Sequence, residues 1–559
     1  MSPKLNEVID QQTDVLIIGG GGGGLRAAIS ARQNGAEVLL VSKSRAGFGN
    51  NTAIARGGFA AAGGWRETRD NATVHADDTL RSGRFINNPR LVQVLAEGSV
   101  QQVYDLESFG VNLSRMEGTY RLGHVPGHTY PRNVSCVEHI GTGISVPMRR
   151  HAMSLGVKLL EGIAITRLLK KGGVVIGVVG IDGDGRVHSL QAKSTILATG
   201  GLGQIYQRTN NAAEATGDGY ALAYEVGLPL QDMEFVQFYP TCLRRPGVMS
   251  LAAYEIMVVL AGTTIRNSLG QNILELHGLT NPLAITRDKL AQAIMQEVKA
   301  GRSYDGYVNF DLTTVPESKR DRYRDSLPKG STYEQADLKV SPAVHYCMGG
   351  IRINERAETS LDGLYAAGEV CGGIQGANRL AGNALTDIFV FGAIAGKEAA
   401  ERASKTMVPD ANKQLVKEEV DRLESWLNKT GKEKVSDLIA SLKKTMWDNV
   451  GAIRDEVGLK QAIAEIGELR LALDLVGVSS PKEWLQALRL DKMLTVSEMV
   501  AKSALMRKES RGAHYRSDYP EEKDPEWRCN VVVQREGKKM AISRNPVSST
   551  TGGVKGATL

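Results

Sequence analysis

Three stretches of the chain share one pattern, in which a short apolar run ends in glycines and gives way to apolar residues at helical spacing. The first, TDVLIIGGGGGGLRAAISARQNGAEVLLVSK (13–43), predicts a buried strand, a glycine turn, a helix and a second strand. STILATGGLGQIYQRTNNAAEATGDGYALAYEVG (194–227) and TSLDGLYAAGEVCGGIQGANRLAGNALTDIFVFGAIAG (359–396) repeat the theme. They build one site only if the chain returns to the same sheet after a long insertion. Further on, NKQLVKEEVDRLESWLNK (412–429), KVSDLIASLKKTMWDNVG (434–451) and VSEMVAKSALMRKES (496–510) space apolar residues for helices packed on a core. Beyond residue 528, with NPVSSTTGGVKG near the end, the chain reads as weakly structured.

No apolar run reaches the roughly 18–20 residues of a membrane span, the nearest being IMVVLAGTTI (256–265). The opening MSPKLNEVIDQQ is polar, so no export signal is expected. Length changes the picture: 559 residues are too many for one compact domain. Charge changes it little, because 68 basic against 62 acidic residues are spread along the chain, and nucleic acid is not implied. Cys136, Cys242, Cys347, Cys371 and Cys529 lie far apart without a CxxC pair, so no metal or iron–sulfur site is expected in this chain, and a reducing cytoplasm fits.

Candidate chemistry begins at Gly19, Gly21 and Gly24, at GxGxxG spacing between strand and helix. The first allows a tight turn, the second lets a pyrophosphate approach the backbone, and the third lets the helix pack on the strand. The acid that binds a ribose after the second strand of NAD-binding units is replaced by SKS, which weakens an NAD reading. A chain that returns to its first sheet after an insertion is a common design of FAD-dependent oxidoreductases.

With HYCMGG (345–350) and RKESRGAHYRSDYPEEKDPEW (507–527), these segments resemble, in order from about residue 13 to 527, the flavoprotein subunit family of succinate dehydrogenase and fumarate reductase, which includes L-aspartate oxidase. The resemblance implies an α/β fold: a Rossmann-like FAD-binding domain (1–234 and 342–400), an inserted α+β capping domain (235–341), a helical domain (401–520) and a tail (521–559). It places Gly19, Gly20, Gly21, Gly22, Gly23 and Gly24 at the pyrophosphate and Lys43 beside the adenosine ribose. Asp218 and Glu369 would hydrogen-bond the cofactor. Asn383, Ala384 and Leu385 would present a helix N-terminus to the isoalloxazine, where its partial positive charge stabilises reduced flavin. Thr52, Gly57, Gly58 and Ala164 join the cofactor site on the same resemblance. Respiratory members carry a histidine that attaches FAD covalently; Asn51 stands in its place here, so noncovalent FAD is expected.

On the substrate side the resemblance implies a carboxylate clamp of His345 and Arg379. Tyr239 of QFYPTC replaces a histidine, and Val259 falls where a proton-delivering arginine is expected. With Ile144, these two residues predict a neutral far end that rejects a second carboxylate. Tyr239 itself, Arg287 of TRDKLAQAI and Arg266 are the substitutes for proton delivery. The expected function is hydride exchange with a carboxylate- or thioester-bearing substrate and electron exchange with an iron–sulfur partner, without a membrane span of its own and with membrane association only through partner subunits. Aspartate-oxidase-like amine oxidation, and an electron-transfer subunit handling a sulfur or quinone species, stay open.

Overall fold

A computed structural model describes residues 8–244, 249–407, 413–427, 429 and 431–547. Strand β1 (Val8–Ile18) lies between β2 (Val38–Ser42) and the strand Val187–Leu197, parallel to both. Val15, Leu16 and Ile17 are wholly buried, as a parallel strand covered on both faces requires. Lys158–Glu161 extends the sheet beyond β2, and the antiparallel strands Val174–Ile181 and Ala164–Lys171 extend its other side.

The return of the chain is visible as pairing of Leu364–Ala366 with Thr195–Leu197. The long helix Asn383–Ser404 then packs on α1 (Gly22–Gln33). The two helices approach closely because Gly392 and Gly396 have no side chains: a Cβ on Gly396 would lie 2.2 Å from the Ala27 carbonyl oxygen.

A second sheet runs Ser250–Leu251, Val236–Leu243, Leu338–Cys347, Val308–Asp311, Thr264–Arg266, with the helix Arg287–Lys299 against it. It has its own core around Ile265, Leu290, Ile294, Phe310 and Val340. Its two longest strands belong to both bodies. Val236 and Phe238 point into the main core and Cys242 and Leu243 into the second; Val340 and Ala343 sit in the second and Val344 and Cys347 in the main one. Side chains near residues 237–239 and 345 therefore stand at the seam between the two.

The helices Lys413–Leu427, Val435–Asn449, Glu456–Leu473 and Pro481–Met506 join the main core through Leu423, Leu442, Leu459, Trp484 and Leu494. The expectation of a weakly structured segment after residue 528 is corrected as far as residue 546. Cys529–Glu536 and Lys539–Pro546 form a hairpin, and Val533 and Val532 pair with Leu230 and Gln231. Val531 and Val533 are buried on one face, and Gly537 takes a positive φ of 60° in the turn. Residues 548–559 lie outside the described residues. Among the described residues no helix is long and apolar enough to cross a membrane.

Candidate active site

At the end of β1 the glycine turn does what its spacing requires. A Cβ on Gly24 would fall 1.9 Å from the Gly19 carbonyl oxygen, so helix and turn touch only through glycine. Gly19 has φ of 120°, and its own Cβ would meet the Ala198 carbonyl at 2.1 Å. Gly21 differs: a Cβ there meets nothing within 3.7 Å, Thr52 Oγ1 at 3.8 Å being nearest, so its backbone faces open space. That space is an open cleft lined by Gly19–Gly23, Lys43, Asn51, Thr52, Asp218 and Glu369 among others, about 1010 Å³ with the adjoining solvent included.

Thr52 Oγ1 accepts from the Gly22 amide at 3.1 Å, tying α2 (Asn51–Ile54) to the start of α1. Lys43 is anchored by Asp218 at 2.8 Å, Thr216 Oγ1 at 2.9 Å and the Glu214 carbonyl at 3.0 Å. Burial alone would raise the Asp218 carboxyl, but Lys43 and Lys492 outweigh it and hold it well below the usual carboxylate range. Asn51 accepts from the Ala212 amide at 2.8 Å and donates to Glu369 at 3.4 Å. Burial pushes the Glu369 carboxyl up to about 7, against hydrogen bonds from the Cys347 amide and Asn51.

Of the other residues assigned to the cofactor, Ala164 is flanked by Ile163 and Ile165, which line the cavity in its stead. Gly57 and Gly58 lie outside its wall, at the start of β3 (Gly58–Ala60), where Gly57 leaves no room for a Cβ beside Cys136. Asn383, Ala384 and Leu385 open the long helix; Asn383 is buried between His75 Nε2 at 2.8 Å and Thr79 Oγ1 at 2.9 Å. That helix start has no side-chain cap, and its first amide, of Asn383, donates to the Leu380 carbonyl at 3.2 Å. The open backbone at Gly21 where α1 begins and the unpartnered buried hydroxyl of Thr199 in the cavity wall fit a pyrophosphate-bearing dinucleotide.

The second half of the site lies at the seam, and it brings His345, Arg379, Arg287 and Tyr239 together. Gln237 Oε1 accepts from Arg287 at 3.1 Å and from Arg379 at 3.0 Å, so one amide oxygen spaces two guanidinium groups. Gln237 is itself oriented, because its Nε2 donates to Asn378 Oδ1 and the Arg379 carbonyl. Glu255 Oε1 accepts two N–H groups of Arg287 at 2.9 and 3.2 Å, and its other oxygen accepts from the Tyr239 hydroxyl. Arg287 lies 5.4 Å from the centre of the Tyr239 ring, whose edge meets the His345 ring with centroids 5.4 Å apart.

Burial pulls Arg287 down, but Glu255, Tyr254 and Tyr239 outweigh it and the guanidinium is held above its ordinary value. Arg379 lacks a carboxylate partner; burial, then the Arg287 charge, brings it down to about 9, and its Nε is buried without an acceptor. His345 is pushed well below the usual histidine value by burial and then by Arg287 and Arg379, so its imidazole is neutral. Asn210 Oδ1, which accepts from Asn211, also faces His345 Nδ1 at 3.1 Å and assigns the proton to that nitrogen. Nε2 is left as the basic position.

One expectation is corrected here. Ile144 does not share the far end with Tyr239: it is wholly buried in the main core on the helix Thr142–Ser154, whereas Tyr239 and Val259 belong to the second core. Of the substitutes named for proton delivery, Tyr239 and Arg287 meet here, both bound to the Glu255 carboxylate. Arg266 is tied instead to Asp311 at 3.0 Å and to the Gly270 carbonyl. Sequence reasoning missed Glu255. Its signal was a lone acid in the otherwise uncharged, largely apolar run LAAYEIMVVLAG (251–262).

A dinucleotide cradle together with two buried arginines held on one Gln237 oxygen fits an FAD-dependent oxidoreductase. The family described as FAD binding domain matches residues 14–385, and that described as Fumarate reductase flavoprotein C-term matches residues 439–555. The chain belongs to the flavoprotein family of fumarate reductase and succinate dehydrogenase. It is 38% identical to an uncharacterized FAD-dependent oxidoreductase of Methanocaldococcus jannaschii, over 95% of this chain and 97% of the relative. It is 34% identical to one of the subunits of the fumarate reductase (CoM/CoB) of Methanothermobacter marburgensis, over 95% and 99%. Among solved structures, E. coli quinol fumarate reductase superposes with a TM-score of 0.89 at 27% identity, over 97% of this chain and 98% of that one.

Proposed function

We propose that this chain is the flavin-bearing subunit of an enzyme that exchanges hydride with a carbon–carbon bond next to a carboxylate and trades electrons with a separate iron–sulfur protein. The observation that carries this reading is Gln237 Oε1 held between Arg287 and Arg379. Bound FAD supplies or accepts the hydride. A substrate carboxylate meets the unpartnered Nε of Arg379 and His345. Arg287 gives a proton to the carbon across the double bond and Glu255 and Tyr239 restore it, a relay supported by the hydrogen bonds of Glu255 to both. Asn51 offers an amide already used in two hydrogen bonds and no nucleophile, which supports noncovalent FAD. The Methanothermobacter relative is by its name one subunit of its enzyme, which supports a partner protein here. Cytoplasmic placement, with membrane contact only through such partners, belongs to the same reading.

The test is turnover with reduced methyl viologen of fumarate, a monocarboxylic enoate and its thioester. At least one is reduced by the wild type, and Arg287→Gln lowers kcat by about 10²–10⁴-fold. An Arg287→Gln enzyme within threefold of wild type would sink the assignment of the proton donor, and no turnover of any of the three would sink the substrate class.

A further inference from the structure

We propose that Glu214 reads the ribose diol in the adenosine half of the cofactor, supplying from a distant segment the carboxylate that the end of β2 does not carry. In dinucleotide-binding units of this build, an acid about 20 residues beyond the glycine turn accepts hydrogen bonds from that ribose. Here Lys43 follows β2 in its place and lines the cleft. The Ile163 amide donates to the adjacent Ser42 carbonyl at 3.0 Å, so Ile163 and Ile165 line the cleft at the same end and give a purine an apolar wall.

Lys43 has no donor left for a sugar. An ammonium carries three N–H groups, and Asp218 at 2.8 Å, Thr216 Oγ1 at 2.9 Å and the Glu214 carbonyl at 3.0 Å take them. Asp218 is spent as well, since its other oxygen accepts from Thr216 Oγ1 at 2.8 Å. Glu214 differs. Its Oε2 lies 3.3 Å from Lys43 Nζ and 3.2 Å from an N–H of Arg489 on the helix Pro481–Met506, while Oε1 has no partner among the described residues. Glu214 also lines the cleft. The segment that delivers it is fixed: Gln204 Nε2 donates to the Asn211 and Ala212 carbonyls at 3.0 and 3.3 Å, the Ala212 amide is held by Asn51, and the Glu214 carbonyl accepts from the Thr216 amide at 2.9 Å. Two cations thus orient the carboxylate through one oxygen and leave the other to accept from a hydroxyl, a charge-assisted bond. Lys43 and Arg489 are positioning residues for that contact.

The experiment is calorimetric titration of the full chain, freed of flavin, with ADP and with 2′,3′-dideoxy-ADP, for wild type, Glu214→Ala and Glu214→Gln. Melting temperature and the affinity for FMN, which lacks the adenosine half, confirm folding of each protein. The wild type binds ADP about 10- to 100-fold more tightly than the dideoxy nucleotide, the range of one hydrogen bond to a charged group. In Glu214→Ala that preference falls to about twofold or less through weaker ADP binding, with the dideoxy nucleotide held as before. Glu214→Gln falls between, keeping an acceptor oxygen but losing the charge. A wild type that does not distinguish the two nucleotides overturns the proposal without any variant. Equal weakening of both nucleotides in Glu214→Ala overturns it too, because Glu214 would then act only through Lys43. A wild type that binds neither nucleotide places the adenosine elsewhere and refutes it, while FMN binding would leave the flavin assignment standing.

Discussion

Glu255 is the residue on which the seam depends, and Glu255→Gln and Glu255→Ala measure how much. Its carboxylate holds Arg287 through two hydrogen bonds of 2.9 and 3.2 Å and takes the Tyr239 hydroxyl on its other oxygen. Side-chain exposure at both Arg287 and Glu255 is 12%, so solvent screens the pair only weakly. Removing one partner of a buried pair costs about 3–5 kcal/mol, and the remaining exposure argues for the lower end, about 3 kcal/mol. Arg287 would then share Gln237 with Arg379 without a counter-charge, two cations on one amide oxygen. Burial and that repulsion pull Arg287 downward once Glu255 no longer raises it. The glutamine variant separates charge from shape, since its amide oxygen still accepts from Tyr239 or Arg287. Chemical denaturation followed by flavin and tryptophan fluorescence gives the stability, and viologen-linked turnover gives kcat. Both variants lose stability, and Glu255→Gln loses about 10²–10⁴-fold in kcat with a smaller stability loss than Glu255→Ala. A Glu255→Gln protein within about 0.5 kcal/mol and twofold of wild type on the two measures would refute the coupling of Glu255 to Arg287.

Two further outcomes are expected. Acid precipitation releases all FAD into the supernatant, because the Asn51 amide forms no covalent bond; yellow fluorescence that stays with the chain on a denaturing gel contradicts this. Binding of a carboxylate ligand weakens as pH rises above the depressed free-state value of His345. The free-state value of His345 is depressed, so Nε2 is bare, and an anion beside it raises that value and draws in a proton. Below the free value both states carry the proton and affinity is flat; above it, affinity falls with pH until the bound-state value is passed. His345→Gln donates at any pH, so titrations between pH 6 and 8 that keep the wild-type slope in this variant would exclude His345 as the proton site.

What the sequence determined by itself is local. A strand, a glycine turn and a helix within residues 13–33 need only neighbours in the chain, and the steric reason for Gly24 acts over five residues, whereas the close approach at Gly19 is to the distant Ala198 carbonyl. The replacement of a nucleophilic histidine by Asn51 is equally a statement about one position. Tertiary structure decided what depends on meeting across the chain. Gln237 reaches Arg287 across 50 residues and Arg379 across 142, and no spacing in the sequence encodes that one oxygen will serve both. Ile144 and Tyr239 were grouped by chemistry, yet the two strands at the seam divide them between separate cores. The hairpin at 529–546 was hidden because its first strand becomes stable only when Val531 and Val533 are buried and Leu230–Gln231 supplies a partner edge. Charge placement follows the same rule: Glu255 in an apolar run acquires meaning only when folding sets it between Tyr239 and Arg287, since Coulombic coupling depends on distance in space and not along the chain.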